Sequence, residues 1–195
     1  MAEPFTYGRR GITGRLEDPE RELLRGLFND VVSMLDPGVA TEDPLEALVG
    51  FNPHATEPED PALARLLPNA YKGDAASSLD FRRLTERSLR EGKAGALRAA
   101  ALSLESSHLL LDDAAARHWS TALNDVRLVL AERLGIRSEE DAEKVHAVTD
   151  WAEAEDVDAY LALVYNFVTW LQTTLVDAML DAHRVRSHGG GSGDE

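Results

Sequence analysis

Two apolar blocks constrain this chain more than anything else in it: ALNDVRLVLAERLG at 122–135 and AYLALVYNFVTWLQTTLVDAML at 159–180. Both have helical length, and both carry Asn, Asp, Thr or Gln among apolar neighbours. A peripheral helix needs only one apolar stripe, so a segment that is apolar nearly all round is central to a core or shared with a second subunit. The polar residues within it need partners there, because a polar group withdrawn from water without one is costly. The expected fold is mainly α, a multi-helix single domain, and 195 residues suffice for one such domain with a substantial core.

Local punctuation divides the chain. Phe5 and Tyr7 before the GRRG turn, with Ile12 and Leu16 after it, allow a short N-terminal β-hairpin. A helix is expected from Asp18, with Pro19 in its first turn, a stripe of Leu23, Leu27, Val31 and Met34 or Leu35, and a stop at DPG, 36–38. Prolines at 44, 53, 58, 61 and 68 limit the next stretch to short helices near 44–49 and 61–67. Between them GFNPHATEPEDP reads as a surface loop, the segment best suited to be mobile. A long helix over 77–104 places Phe81, Leu84, Ser88, Gly92, Gly95, Ala99 and Leu102 at helical spacing. Its glycines lower helix propensity and let another backbone approach closely. A short strand or turn follows at His108–Leu111. Asp112 or Asp113 then caps a helix to about Leu134, closed by Gly135. Ser138 caps a short helix to about 148, and the last helix runs from Glu155 or Asp156 to about Arg184. The domain is read as 1–186, with SHGGGSGDE at 187–195 as a flexible tail.

Charge narrows the function. Acidic residues number 35 against 20 Lys and Arg, a net −15, which repels phosphate backbones unless a local patch overcomes it. There is no cysteine, so disulfides, thiolate nucleophiles and thiolate metal sites are excluded. The N-terminus has no long apolar core of a secretory signal. The most apolar window, Ala159–Val168, falls short of a membrane span, and Asn166, Thr169, Gln172 and Asp177 break it up. A cytoplasmic, membrane-free protein is the default.

The one basic concentration lies on the 77–104 helix, where Arg82, Arg83, Arg87, Arg90, Lys93 and Arg98 stand among Asp80, Glu86 and Glu91. Arg83, Arg87 and Arg90 share a face by i,i+4 and i,i+3 spacing. That face suits DNA phosphates or an acidic partner; a solvated face laced to the acidic remainder is the plainer reading. Trp119, Asn124, Asp125, Arg127, Trp170 and Gln172 form a second set, read first as a structural polar network that fixes helix register and second as a ligand cluster. The six histidines make no HxxxH or HExxH spacing, and His118 with Asp113 is at most a fragment of a site. The serines lack a nucleophile-elbow context. No catalytic residue, metal site or cofactor is expected.

The blocks ARLLPNAY (64–71), DFRRLTERSLREGKAGAL (80–97), LLLDDAAARHWSTALNDVRLVLAERLGI (109–136) and YNFVTWLQTTLVDAML (165–180), in this order, carry a resemblance. Together they resemble the actinobacterial family known as domain of unknown function 2017, across most of residues 3–183. Trp119, Asn124, Asp125, Arg127, Leu128, Trp170, Leu171 and Gln172 look most like its signature. The family brings no catalytic residues to carry over. Some members are classed as transcription regulators of oxidative-stress response and cysteine supply, with genes near a Clp-protease adaptor and sulfur-carrier genes. The resemblance implies a regulator acting through DNA or a sigma-factor partner. The alternative is a protein-interaction scaffold or adaptor linked to proteolysis or sulfur metabolism. A homodimer using the last helix serves either. This chain departs from any thiol-sensing member in having no cysteine.

Overall fold

A computed structural model describes residues 2–36, 51–151 and 156–189; the short helix expected near 44–49 lies outside them. The described residues form three strands and six helices. The strands are β1 (Glu3–Gly8), β2 (Gly11–Arg15) and β3 (His108–Leu111). The helices are α1 (Asp18–Leu35), α2 (Pro61–Leu66), α3 (Ala75–Ser103), α4 (Asp113–Arg133), α5 (Glu139–His146) and α6 (Val157–Gly189).

The hairpin is closed by Gly8 opposite Gly11, which takes a left-handed φ of 115° that only glycine adopts cheaply. Strand β3 adds antiparallel to β2, with Ile12 opposite Leu111 and Arg15 opposite His108, giving the order β1-β2-β3. Phe5, Ile12, Leu109 and Leu111 point inward from this small sheet. A Cβ at Gly14 would lie 2.7 Å from the Phe5 ring, so glycine is what lets that ring cross the strand. The sheet is tied to the last helix where Phe5 N donates to Thr174 Oγ1 at 3.2 Å.

Helix ends follow the sequence closely. Glu17 and Glu20 form a reciprocal capping box at α1. Asp112 caps α4 through the Ala115 amide, Ser138 and Asp141 form the box of α5, and Gly135 at φ 66° ends α4. Arg21 and Arg25 of α1 donate to the Leu104 carbonyl at 2.8 and 3.0 Å, satisfying the negative end of α3.

Helix faces depart from expectation in two places. The buried line of α1 is Leu24, Phe28, Val31 and Leu35, one residue on from the expected stripe at its start, while Leu23 and Leu27 are only partly buried beside it. On α3 the expected stripe is turned outward: Phe81, Leu84 and Leu102 are 44, 63 and 68% exposed. The inward line is Ser78, Arg82, Glu86, Ala94, Leu97 and Ala100. The second half buries because Leu97, Ala100 and Leu104 give the better-packed apolar line. The first half buries charge because Arg82 and Glu86 satisfy each other. Among the described residues, a Cβ on Gly92 or Gly95 would meet nothing within 4 Å, so no described backbone approaches closely there. Each glycine still costs about 1 kcal/mol of helix stability relative to alanine.

Residues 51–60 form no helix or strand. Asn52 N donates to the Arg83 carbonyl at 2.8 Å, and Ala55 is buried. Helix α6 packs one face against the rest of the fold. Val164, Val168, Leu171 and Leu175 are buried against the sheet and α4. By length and composition alone Val157–Ser187 could cross a membrane, a test that the core helix of a globular protein also passes. The neutral Asn166, Thr169 and Gln172 lower its hydropathy too little to disqualify it. In this fold its apolar line is the core.

Candidate functional site

Helix α3 supplies most of the charged chemistry. Glu86 bridges two arginines, accepting from Arg82 Nη1 at 2.6 Å and from Arg90 Nε at 2.8 Å. Arg82 also donates to the Leu67 carbonyl and Asn69 Oδ1, and Arg90 to the Leu35 carbonyl. The Arg82–Glu86–Arg90 triad therefore stitches the C-terminal ends of α1 and α2 to α3. Of the expected contact arginines, Arg90 turns inward, with its side chain 14% exposed. Arg83 and Arg87 remain nearer the surface, paired with Asp80 at 3.0 Å and Glu91 at 2.9 Å. The triad is spaced i, i+4, i+8, a signal visible in the sequence once Arg82 and Glu86 are allowed inside.

The second expected set does not converge on one place. Trp119 is the centre of the core, with its ring edge-to-face against Phe5 and Phe28 at centroid distances of 5.5 and 5.7 Å. Its indole N–H donates to Ser103 Oγ at 2.8 Å. Asp125 is fully buried and accepts from Lys93 Nζ at 2.6 Å, a partner that sequence reasoning did not assign to it. Its second oxygen has no hydrogen bond, and burial raises the carboxyl above the ordinary range against the pull of Lys93. Asn124 and Arg127 sit half-buried beside it on α4. Gln172 and Thr169 place buried oxygens without partners on α6. Trp170 is 38% exposed and belongs to a different surface.

That surface is the strongest candidate site. A groove of about 720 Å³ runs between the start of α1, the segment after α5 and the first half of α6. Pro19 and Leu23 form one wall; Val148 and Trp151 form the second; Tyr160, Leu163, Phe167 and Trp170 form the floor and third wall. Trp151 meets Tyr160 edge-to-face at 5.8 Å, and Phe167 stacks with Trp170 at 6.2 Å. Spacing along α6 produces the apolar line: Tyr160, Leu163, Phe167 and Trp170 recur every three or four residues on one face. Sequence reasoning missed the groove because its walls come from three distant segments.

Three of the groove's polar side chains, Glu20, His146 and Asn166, are engaged in hydrogen bonds within the chain. Asn166 Nδ2 donates to the carbonyls of Val145 and Val148, each at 2.9 Å, so its Oδ1 accepts from His146 Nδ1 at 2.7 Å. These bonds clamp the end of α5 onto α6. Glu20 accepts from the backbone amides of Ala2 and Glu17. The exposed remainder of the groove is mainly aromatic surface, the chemistry of partner docking. Among the described residues, no group of three His, Asp or Glu side chains is gathered to hold a metal.

Residues 2–179 match the family described as domain of unknown function (DUF2017). The AosR protein of Mycobacterium leprae is 31% identical over 179 residues, covering 83% of this chain and 79% of that protein. The oxidative stress regulators AosR of Mycobacterium bovis and Mycobacterium tuberculosis are each 33% identical over 135 residues, covering 60% of this chain and 62% of theirs. No solved structure matches the chain.

Proposed function

The chain belongs to the DUF2017 family, and we propose that it is a cytoplasmic regulatory protein of the oxidative-stress response that acts by binding a protein of the transcription apparatus, with a sigma factor as the leading candidate. Similarity to the AosR regulators supports the regulatory role and a non-catalytic chain. The observation that favours a protein partner over DNA is the pairing of Arg83, Arg87 and Arg90 with Asp80, Glu91 and Glu86 on α3. A guanidinium already held by a carboxylate has little to gain from a phosphate, and DNA affinity rests on such neutralisation. The surrounding net charge of −15 opposes approach to a phosphate backbone.

The groove offers the reverse. Trp and Tyr are the side chains that most often anchor protein interfaces. Trp151, Tyr160 and Trp170 present them together on exposed positions. Without cysteine, the chain responds to oxidative stress through its partner or its abundance, and not through its own thiols.

A mobility-shift titration with target-promoter DNA tests this reading. The chain alone is expected to give no sequence-specific shift, and to alter the shift produced by RNA polymerase with its sigma factor. A specific shift by the chain alone, weakened by salt and by Arg83→Ala with Arg87→Ala, would overturn it.

A further inference from the structure

We propose that α3 is the two-fold interface of a homodimer, packed antiparallel against the same helix of a second copy with the axis between Gly92 and Gly95. The outward face of α3 reads Leu84, Ser88, Gly92, Gly95, Ala99, Leu102: large at both ends and small in the middle. Among the described residues, nothing inside the subunit accounts for its two glycines. Both have ordinary helical φ, and a side chain at either would project into open space. Leu84 and Leu102 are more than three-fifths exposed at either end of this face.

The order of sizes selects a second copy as the occupant. A two-fold axis pairs a surface with itself reversed, so the sequence of sizes must match its own reversal. With the axis between Gly92 and Gly95, Gly92 meets the partner's Gly95 and Ser88 meets the partner's Ala99. Leu84 then lies about one residue, roughly 1.5 Å along the axis, from the partner's Leu102. The central small residues let the helix axes approach, and the leucines close each end.

Charge agrees with the same register. Glu91, which also accepts from Arg87 within the subunit, and Arg98 lie on one flank of this face, and both are exposed. The axis sets each Glu91 about two residues, roughly 3 Å along the helix, from the partner's Arg98. Among the described residues Arg98 has no ion pair, in a chain whose acids outnumber its Lys and Arg by 35 to 20. The interface uses neither the aromatic groove nor the proposed partner, and stands or falls apart from them. It is a different surface from the last helix, whose Val164, Val168, Leu171 and Leu175 are buried in the core.

Sedimentation over micromolar concentrations is expected to give twice the 21.3 kDa chain mass. Gly92→Leu should weaken the dimer at least about tenfold while leaving the melting temperature of the monomer unchanged or higher, since leucine is the better helix former and meets no clash. Glu91→Arg should weaken the dimer by setting like charges opposite each other, and adding Arg98→Glu should restore it. Because the chain has no cysteine, Ser88→Cys with Ala99→Cys gives a clean cross-linking test. Within one helix those positions are about 16 Å apart, beyond the roughly 7 Å a disulfide can span, so any disulfide joins two copies. Oxidation should convert the dimer to a covalent one. A monomer at tens of micromolar, or a dimer indifferent to Gly92→Leu and without the cross-link, would overturn the assignment.

Discussion

Replacing Lys93 with methionine probes the most exposed energetic weakness of the core. Asp125 is fully buried on α4, and its only ionic partner among the described residues is Lys93, at 2.6 Å, whose side chain is 16% exposed. Lys93→Met keeps the aliphatic stem and removes the charge, leaving a carboxylate in an apolar interior with its second oxygen already unsatisfied. Breaking a buried pair in this way costs about 3–5 kcal/mol. For a chain of this size that corresponds to a fall in melting temperature of about 6–20 °C. The reverse change, Asp125→Asn, should cost less, because Lys93 lies near enough to solvent to extend its ammonium into water. In the double variant the Lys93→Met penalty should largely disappear.

The pH dependence carries a sign. Burial raises the Asp125 carboxyl in the folded state. Its contribution is therefore fully present below the unfolded value of 3.8 and is lost as pH rises through the folded value. Removing Lys93 raises the folded value further, so the gap between wild type and Lys93→Met should widen from about pH 5 to about pH 7.5. Urea denaturation of the four proteins at both pH values measures this. A Lys93→Met protein within about 1 kcal/mol of wild type at neutral pH, with no widening, would refute the reasoning.

Three further outcomes are expected. Glu132 accepts from Arg137 and Arg65, which hold its carboxyl down at about 2, so its contribution is present above 4.5 and lost as pH falls toward 2. Glu132→Gln should accordingly flatten acid unfolding across that window, and an unchanged acid transition would remove Glu132 from the account. Trp119→Ala should cost about 3–5 kcal/mol in a thermal melt, through a cavity between Phe5 and Phe28 and the lost bond to Ser103; a loss under about 1 kcal/mol would show a plastic core. Mild peroxide should produce no covalent dimer on a non-reducing gel, since the chain has no cysteine, and any reductant-sensitive dimer would contradict this.

Element ends were legible because their causes are local. Pro19, Asp112, Ser138 and Gly135 act on their immediate neighbours, and each marks a helix start or stop close to where it was expected. The choice of face on α3 was not legible. A helical apolar pattern does not say which side faces inward when the other side holds a self-satisfying Arg82–Glu86–Arg90 triad. The same limit hid Lys93 as the partner of Asp125, 32 residues away. Trp119 and Asp125 are buried with partners, Ser103 and Lys93, while Trp170 stands at the groove. The groove has no linear trace, since Leu23, Trp151 and Trp170 meet only after the chain has folded.

The central claim is that this chain works through a protein held in the Trp151–Tyr160–Trp170 groove. Titration of the purified sigma factor of the stress response with wild type, Trp151→Ala and Trp170→Ala, followed by calorimetry, tests it most directly. Both tryptophans are more than a third exposed, so their replacement should leave the fold intact, which a melting curve verifies. The account predicts saturable binding by wild type and a loss of at least about 2 kcal/mol, roughly thirtyfold, for each variant. Binding that ignores both substitutions, or no binding by wild type together with specific promoter binding by the chain alone, would contradict it.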